Sequence, residues 1–382
     1  MNTVYLDHNS TTALHPQVLE AMLPFMTAQH GNPTSRHVFG RNAREAVEFA
    51  RTQVAQSVGV QASQVVFTAS GTEANNFAIR GITGNLTPSQ LLISSIEHPC
   101  VTRPALALQT SGWQVNTIKV DQHGQLDLEH LSQWLQQPTG LISVMLANNE
   151  TGSLQPLEAI AAMARQHKAY VHTDAVQALG KVAVDFTALG VHAMTLSSHK
   201  IGGPLGAGAL VLDKRVDIQP LLLGGGQEKG LRSGTENIAA IVGFGAACAI
   251  AQQQLVAYQT HTALLRNQLE AGLHQLKAAV FGAESTQRLS NTSFFAIPHI
   301  EGETLVTALD KAGFAVASGS ACSSDSTEPS HVLLAMGVDE ELARGAVRVS
   351  VSAHNTAQEI EAFLTTLAQE VKRLKAMTAI AA

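Results

Sequence analysis

Short runs of β-branched and aliphatic residues recur through the middle of this chain with helical patterns between them, at 65–68, 91–95, 141–146, 169–172, 193–197 and 209–212. That alternation constrains the fold more than any other feature. It argues for βαβ units and a largely parallel sheet with helices on both faces. Several runs are too apolar to be half exposed, which fits strands covered on both sides. Open sheets of this kind bind ligands in the crevice beyond the carboxyl ends of their strands. Residues just after each run are therefore where chemistry is expected.

Past Gly234 the character changes. An Ala-rich helical stretch over 237–255 leads to a second helical pattern near 262–276, then to strand-like 292–296 and 347–351 and a closing helix. The closing helix carries a capping box, Thr356-Ala357-Gln358-Glu359, and places Ile360, Phe363, Leu364, Leu367, Val371 and Leu374 on one face. With 382 residues, the chain is expected to form a large domain over 15–255 and a small α+β domain from 1–14 and 256–382. No internal repeat is present.

The run ends carry a consistent set of polar groups. Ser197-Ser198-His199-Lys200 follows one run and Asp174-Ala175-Val176-Gln177 another. Lys200 reads as a Schiff-base lysine for pyridoxal 5'-phosphate, with Asp174 as the carboxylate that keeps the pyridine nitrogen protonated. The competing reading is an exposed lysine beside a turn and an aspartate capping a helix. Ser70-Gly71-Thr72-Glu73 opens a helix after the first run and is either a phosphate-binding helix terminus or a plain cap. His98, in Glu97-His98-Pro99, either stacks on the pyridine ring as an acid or base or is structural. Asn149 and Gln177 can reach the same sheet edge and a phenolic ring oxygen. The glycines of 202–208 permit tight turns beside a bulky cofactor, or form an ordinary hairpin.

Cys322 lies in Ser318-Gly319-Ser320-Ala321-Cys322-Ser323-Ser324, a small, polar stretch expected to be an exposed, mobile loop. A free thiol there reads as a nucleophile, whereas Cys100 and Cys248, in apolar helical contexts, read as packing residues. Arg348 is a charge inside an apolar run and pairs with either a substrate carboxylate or a structural acid.

Composition narrows the classes. A net charge of −6, from 24 basic and 30 acidic residues, gives no support to a nucleic-acid partner. Three cysteines without a CxxC pair fit a reducing cytosol, and no export signal or membrane-spanning run is read, so a cytoplasmic protein is expected. The histidines form no HExxH or HxxxH pattern, so no metal site is expected. With 45% hydrophobic and only 14% charged residues, much of the surface is expected to be covered by a second copy of the chain.

With these residues in hand, the chain resembles the cysteine desulfurases of the NifS-like group, within the class V aminotransferase family. The resemblance runs almost end to end, through Tyr5-Leu6-Asp7-His8-Asn9, Gly31-Asn32-Pro33, Ser70-Gly71-Thr72-Glu73, Glu97-His98, Asn148-Asn149-Glu150, Asp174 with Gln177, Ser197–Lys200, Arg232-Ser233-Gly234-Thr235-Glu236-Asn237 and the Cys322 loop. It implies the fold type I architecture of pyridoxal phosphate enzymes, with a large, mainly parallel seven-stranded sheet. It implies that Lys200 carries the cofactor, Asp174 meets the ring nitrogen, Gln177 the phenolic oxygen, and His98 stacks on the ring. Asn149 helps hold the cofactor. Gly71, Thr72, Ser197 and His199 match phosphate ligands, and Thr235 matches one supplied by the other subunit of a homodimer. Asn32 and Arg348 match the groups that hold the substrate carboxylate. The implied reaction takes sulfur from L-cysteine, leaving L-alanine and a persulfide on Cys322. The sulfur then passes to an acceptor protein for iron–sulfur cluster assembly, tRNA thiolation or a related pathway. Ser198 and Ala353 stand where glycines are common in the family, and the carboxyl end is shorter than in members that dock a scaffold there.

Overall fold

The computed structural model describes residues 3–285, 287–319 and 328–381. The central sheet has seven strands, in the spatial order Val65–Thr68, Gly208–Leu212, Ala193–Ser197, Tyr170–Asp174, Thr139–Ser143, Gln90–Ser94, Gln114–Ile118. Gly208–Leu212 runs antiparallel to both of its neighbours, and the other ladders are parallel. The inner strands Gln90–Ser94, Ala193–Ser197 and Gly208–Leu212 are buried at every residue. Consecutive side chains feed opposite faces, as a period of two requires. Leu92 and Met194 enter one core, with helix Val38–Ser57, while Leu91 and Ile93 enter the other, with helix Gly71–Gly84.

Gln114–Ile118 is not among the runs read from the sequence. It is an edge strand with a single neighbour and alternates polar residues, so it lacks the apolar signature of its inner partners.

A second layer is a four-stranded antiparallel sheet, ordered Ala317–Ser318, Ala346–Ser350, Thr292–Ala296, Ala279–Phe281. Helix Ala357–Ala381 covers it through Ile360, Phe363, Leu367 and Val371. The capping box is formed: Thr356 N–H donates to Glu359 Oε2 at 2.8 Å and Glu359 N–H to Thr356 Oγ1 at 3.2 Å. The amino terminus joins this layer, Val4–Tyr5 pairing in parallel with Phe314–Ala315, before Asp7 bridges to Ser350. That route carries Asn9 and Ser10 to the edge of the large sheet.

The two helical patterns read at 237–255 and 262–276 are one helix, Ile238–Gln275. No glycine or proline interrupts the polar stretch between them, so the hydrogen-bond ladder continues. The expected boundary at 255 thus falls inside a single element. Its first half crosses helix Val38–Ser57 closely: a Cβ on Gly245 would lie 2.7 Å from Ala50 Cα. Its second half packs on the carboxyl-terminal helix. By length and composition this helix could cross a membrane, contrary to the expectation of no such run. Its buried face of Ala240, Phe244, Ala247 and Cys248, set against neighbouring helices, makes it a core helix.

Candidate active site

The carboxyl ends of Val65–Thr68, Gln90–Ser94, Thr139–Ser143, Tyr170–Asp174 and Ala193–Ser197 open on one edge of the sheet, around a cavity of about 370 Å³. Because these strands share a direction, the segments that follow them converge. Lys200, Asp174, Gln177, Asn149, Ser197, His199, His98, Gly71, Thr72 and Arg348 all line this cavity.

Lys200 Nζ donates to the main-chain oxygens of Asn9 at 2.7 Å and Ser10 at 2.6 Å. Asp174 is nearly buried; its Oδ1 accepts from Val176 N–H at 2.9 Å and its Oδ2 from Asn75 Nδ2 at 2.7 Å. Burial raises its pKa, opposed by those two donors and by the charges of His98 and Lys200. This is the environment of a carboxylate that needs a cation in the cavity to stay ionised.

His98 caps helix Pro99–Ala107, its Nδ1 accepting from Cys100 N–H at 3.1 Å. Burial lowers its pKa, opposed by the nearby Asp174 carboxylate. Cys100 Sγ lies 2.9 Å from the same Nδ1 and 3.0 Å from Asn75 Nδ2. Burial pushes the thiol pKa far upward, so it remains an S–H group. Cys100 therefore links the Asp174 and His98 sides of the cavity, where the sequence suggested only apolar packing.

The phosphate end is built on helix Gly71–Gly84. Ser70 caps it, accepting from Glu73 N–H at 3.1 Å, while the helix offers no acceptor to the N–H groups of Gly71 and Thr72. A Cβ at Gly71 would come within 3.0 Å of Val176 Cγ2 and 3.3 Å of Ser197 Cβ. Among the described residues, Ser197 Oγ is buried without a hydrogen-bond partner. His199 shares this wall, with its Nδ1 3.1 Å from Thr11 Oγ1 and its pKa pushed down to about 4 by burial and by Lys200. A helix amino terminus, an orphaned hydroxyl and a neutral imidazole make a donor set suited to a phosphate monoester. With Lys200 and Asp174 at the opposite end, the residues present fit pyridoxal phosphate.

Arg348 meets a structural acid and also faces the cavity. Its guanidinium pairs with Asp7 Oδ1 at 2.7 Å and donates to Ser10 Oγ at 2.8 Å and Asn149 O at 3.0 Å, while among the described residues its buried Nε has no partner and the residue lines the cavity. Asn32 is not brought in: it is exposed, and its Oδ1 accepts from Thr34 N–H and Thr34 Oγ1. Thr235 is exposed and lies outside the cavity lining. Its loop is held by Arg232 Nε donating to Glu73 Oε1 at 2.7 Å, and by a buried pair in which Arg51 meets Glu228 at 2.6 and 2.7 Å. Cys322 lies outside the described residues.

Sequence reasoning missed Asn75, Asn9 and Lys181. Asn75 follows Gly71 by four residues, so helical spacing alone places it on the same cavity-facing side. Asn9 stands inside a quoted motif, but nothing local shows that its chain returns to Lys200.

Comparisons with known proteins agree with this geometry. The family model for aminotransferase class-V matches residues 4–363. A cysteine desulfurase of Nostoc sp. is 40% identical over 99% of this chain and 95% of its own length. A solved structure described as a NifS-like protein superposes with a TM-score of 0.92 at 36% identity, covering 97% of this chain and 99% of its own. Another, described as SspA in complex with cysteine, gives a TM-score of 0.81 at 30% identity over 93% of this chain and all of its own.

Proposed function

Because this chain belongs to the class V aminotransferase family, in its cysteine desulfurase, NifS-like group, we propose that the cavity at the sheet edge is where L-cysteine gives up its sulfur. The observation that carries this assignment is the convergence of Lys200, held between two main-chain carbonyls, and buried Asp174 on one cavity with an anion-binding helix terminus.

Bound there, pyridoxal phosphate supplies an electron sink for the α-carbon of an amino acid. The chain's own groups do the rest. Gly71, Thr72, Ser197 and His199 hold the phosphate by their N–H and O–H donors. Asp174 keeps a proton on the ring nitrogen by presenting a negative charge to it. Asn149 and Gln177 hold the ring's edge, and His98 covers its face. Arg348, which lines the cavity, receives the substrate carboxylate; Asn32, exposed and outside the cavity lining, takes no part in this reading. Lys200 Nζ would be the base that takes the α-proton. The Cys322 thiolate attacks the substrate sulfur: an S–S bond forms, the carbon–sulfur bond breaks, the electron pair left on the β-carbon takes up a proton, and the proton held by Lys200 returns to the α-carbon to give alanine.

Brief exposure of the purified enzyme to L-cysteine, followed by peptide mass spectrometry, should find the added sulfur on Cys322 and not on Cys100 or Cys248. Sulfur on Cys100 would move the nucleophile into the cavity wall and overturn the assignment to Cys322.

A homodimer completes this reading. Leu205 and Leu223 are 73% and 87% exposed, and Thr235 stands clear of its own cavity, as a residue serving a partner's phosphate site would. Sedimentation should show a dimer at micromolar concentration; a fully active monomer would exclude it. We assign the enzyme to the cytoplasm, in keeping with the free thiols of Cys100 and Cys248, with a sulfur-acceptor protein as its partner.

A further inference from the structure

Behind the cavity wall lies a lysine the reaction does not use. Lys181 is 2% exposed, and its Nζ donates to Gln177 Oε1 at 2.6 Å and to Asn9 Oδ1 at 2.8 Å. Among the described residues no carboxylate lies within ion-pair distance of it. An amine buried without a counter-ion is costly, so its environment has to repay it through hydrogen bonds.

Lys181 Nζ donates in both of these contacts, and an amine has at least two N–H groups to give whether charged or, as burial favours, neutral. Both amides that face it must therefore turn their oxygens toward it and their nitrogens away. For Gln177, which lines the cavity, this directs Nε2 to Asn9 O at 2.9 Å, and the amide nitrogen keeps a second N–H to give. For Asn9 it directs Nδ2 to Asn149 O at 3.1 Å and Thr292 Oγ1 at 2.9 Å, while Asn291 Nδ2 also donates to Oδ1 at 3.0 Å. Asn9 O is the same oxygen that holds Lys200 Nζ. One buried amine thus governs the orientation of both amides. Its own backbone is anchored by the long helix, with Gln259 Nε2 donating to Lys181 O at 2.9 Å.

We propose that Lys181 is a positioning residue: by taking the oxygens of Gln177 and Asn9, it makes Gln177 present an N–H donor, rather than a carbonyl oxygen, to the cofactor's phenolic oxygen. The inference rests on the function proposed above and concerns a residue that touches neither cofactor nor substrate.

The test measures the dissociation constant of pyridoxal phosphate and the absorption maximum of the lysine-bound cofactor in holoenzyme variants. Gln177→Ala and Lys181→Met should each weaken binding by about tenfold, the scale of one lost hydrogen bond to a charged group. Because both remove the same donor, Lys181→Met/Gln177→Ala should bind no more weakly than either single variant, and all should share one shifted absorption maximum. Gln177→Glu keeps Lys181 paired, so it folds even if Lys181→Met does not. It turns an oxygen to the cavity and should weaken binding at least as much as Gln177→Ala. An additive loss of about a hundredfold in the double variant, unchanged binding in Lys181→Met, or wild-type binding in Gln177→Glu would overturn the proposal. A wild-type chain that binds no pyridoxal phosphate would instead overturn the reading of the cavity itself.

Discussion

Lys200→Ala is expected to abolish desulfuration, with turnover of L-cysteine falling by about 10⁴-fold or more, because one side chain supplies both the covalent attachment and the proton carrier. No other amine can take its place. Lys181 lies behind the cavity wall, but it is buried with its Nζ committed to Gln177 and Asn9, and burial pushes its pKa well below the ordinary lysine value. The two carbonyls that hold Lys200 belong to Asn9 and Ser10, in a segment anchored through Ser350 and Thr292, so the truncation leaves the cavity walls in place. Pyridoxal phosphate should still bind through the phosphate cradle, without the lysine-linked absorption band. Borohydride reduction followed by peptide mapping checks this. A reducible adduct at the wild-type level, on any residue, would contradict the assignment.

Asp174→Asn should reduce turnover by about 10²–10³-fold while part of the cofactor is retained, a loss on the scale of removing one preorganised electrostatic contact in an active site. An amide can still accept from Val176 N–H. It then turns its own NH₂ group toward Asn75 Nδ2, where a carboxylate oxygen now accepts at 2.7 Å, or else flips and loses the Val176 contact. Either way the negative charge is gone, and Glu97, a buried acid at the same sheet edge, does not replace it: burial holds its pKa well above the usual carboxylate value and it accepts from Met145 N–H. Absorbance of the bound cofactor and alanine formation measured together separate lost binding from lost chemistry. Near-normal turnover would rule out the role given to Asp174.

Much of this site is legible residue by residue because it sits on short-range signals. Lys200, Asp174, His98 and Gly71 each follow an apolar run by a few residues, and a parallel sheet brings such positions to one edge without further information. Where the signal depends on distant segments, reading along the chain fails. Cys100 looked like a packing residue in its helix, yet its thiol faces Asn75 and His98 because the Gly71–Gly84 helix lies alongside. Arg348 reads along the chain as a substrate-carboxylate group rather than the partner of a structural acid; Asp7, which pairs with it, is more than three hundred residues away in sequence.

The sequence by itself therefore determined a largely parallel sheet and the placing of Lys200 and Asp174 among the polar groups at its carboxyl edge, since periodicity of two and apolar burial are local properties. Tertiary structure alone decided the continuity of Ile238–Gln275, the edge position of Gln114–Ile118, and the meeting of Asn9, Gln177, Lys181 and Lys200. The last of these needs the amino terminus to cross from the small sheet to the large one. Which oxygen faces which amine there is set by packing and by the cost of leaving a buried donor unpaired, and that cost exists only once the chain has closed around it.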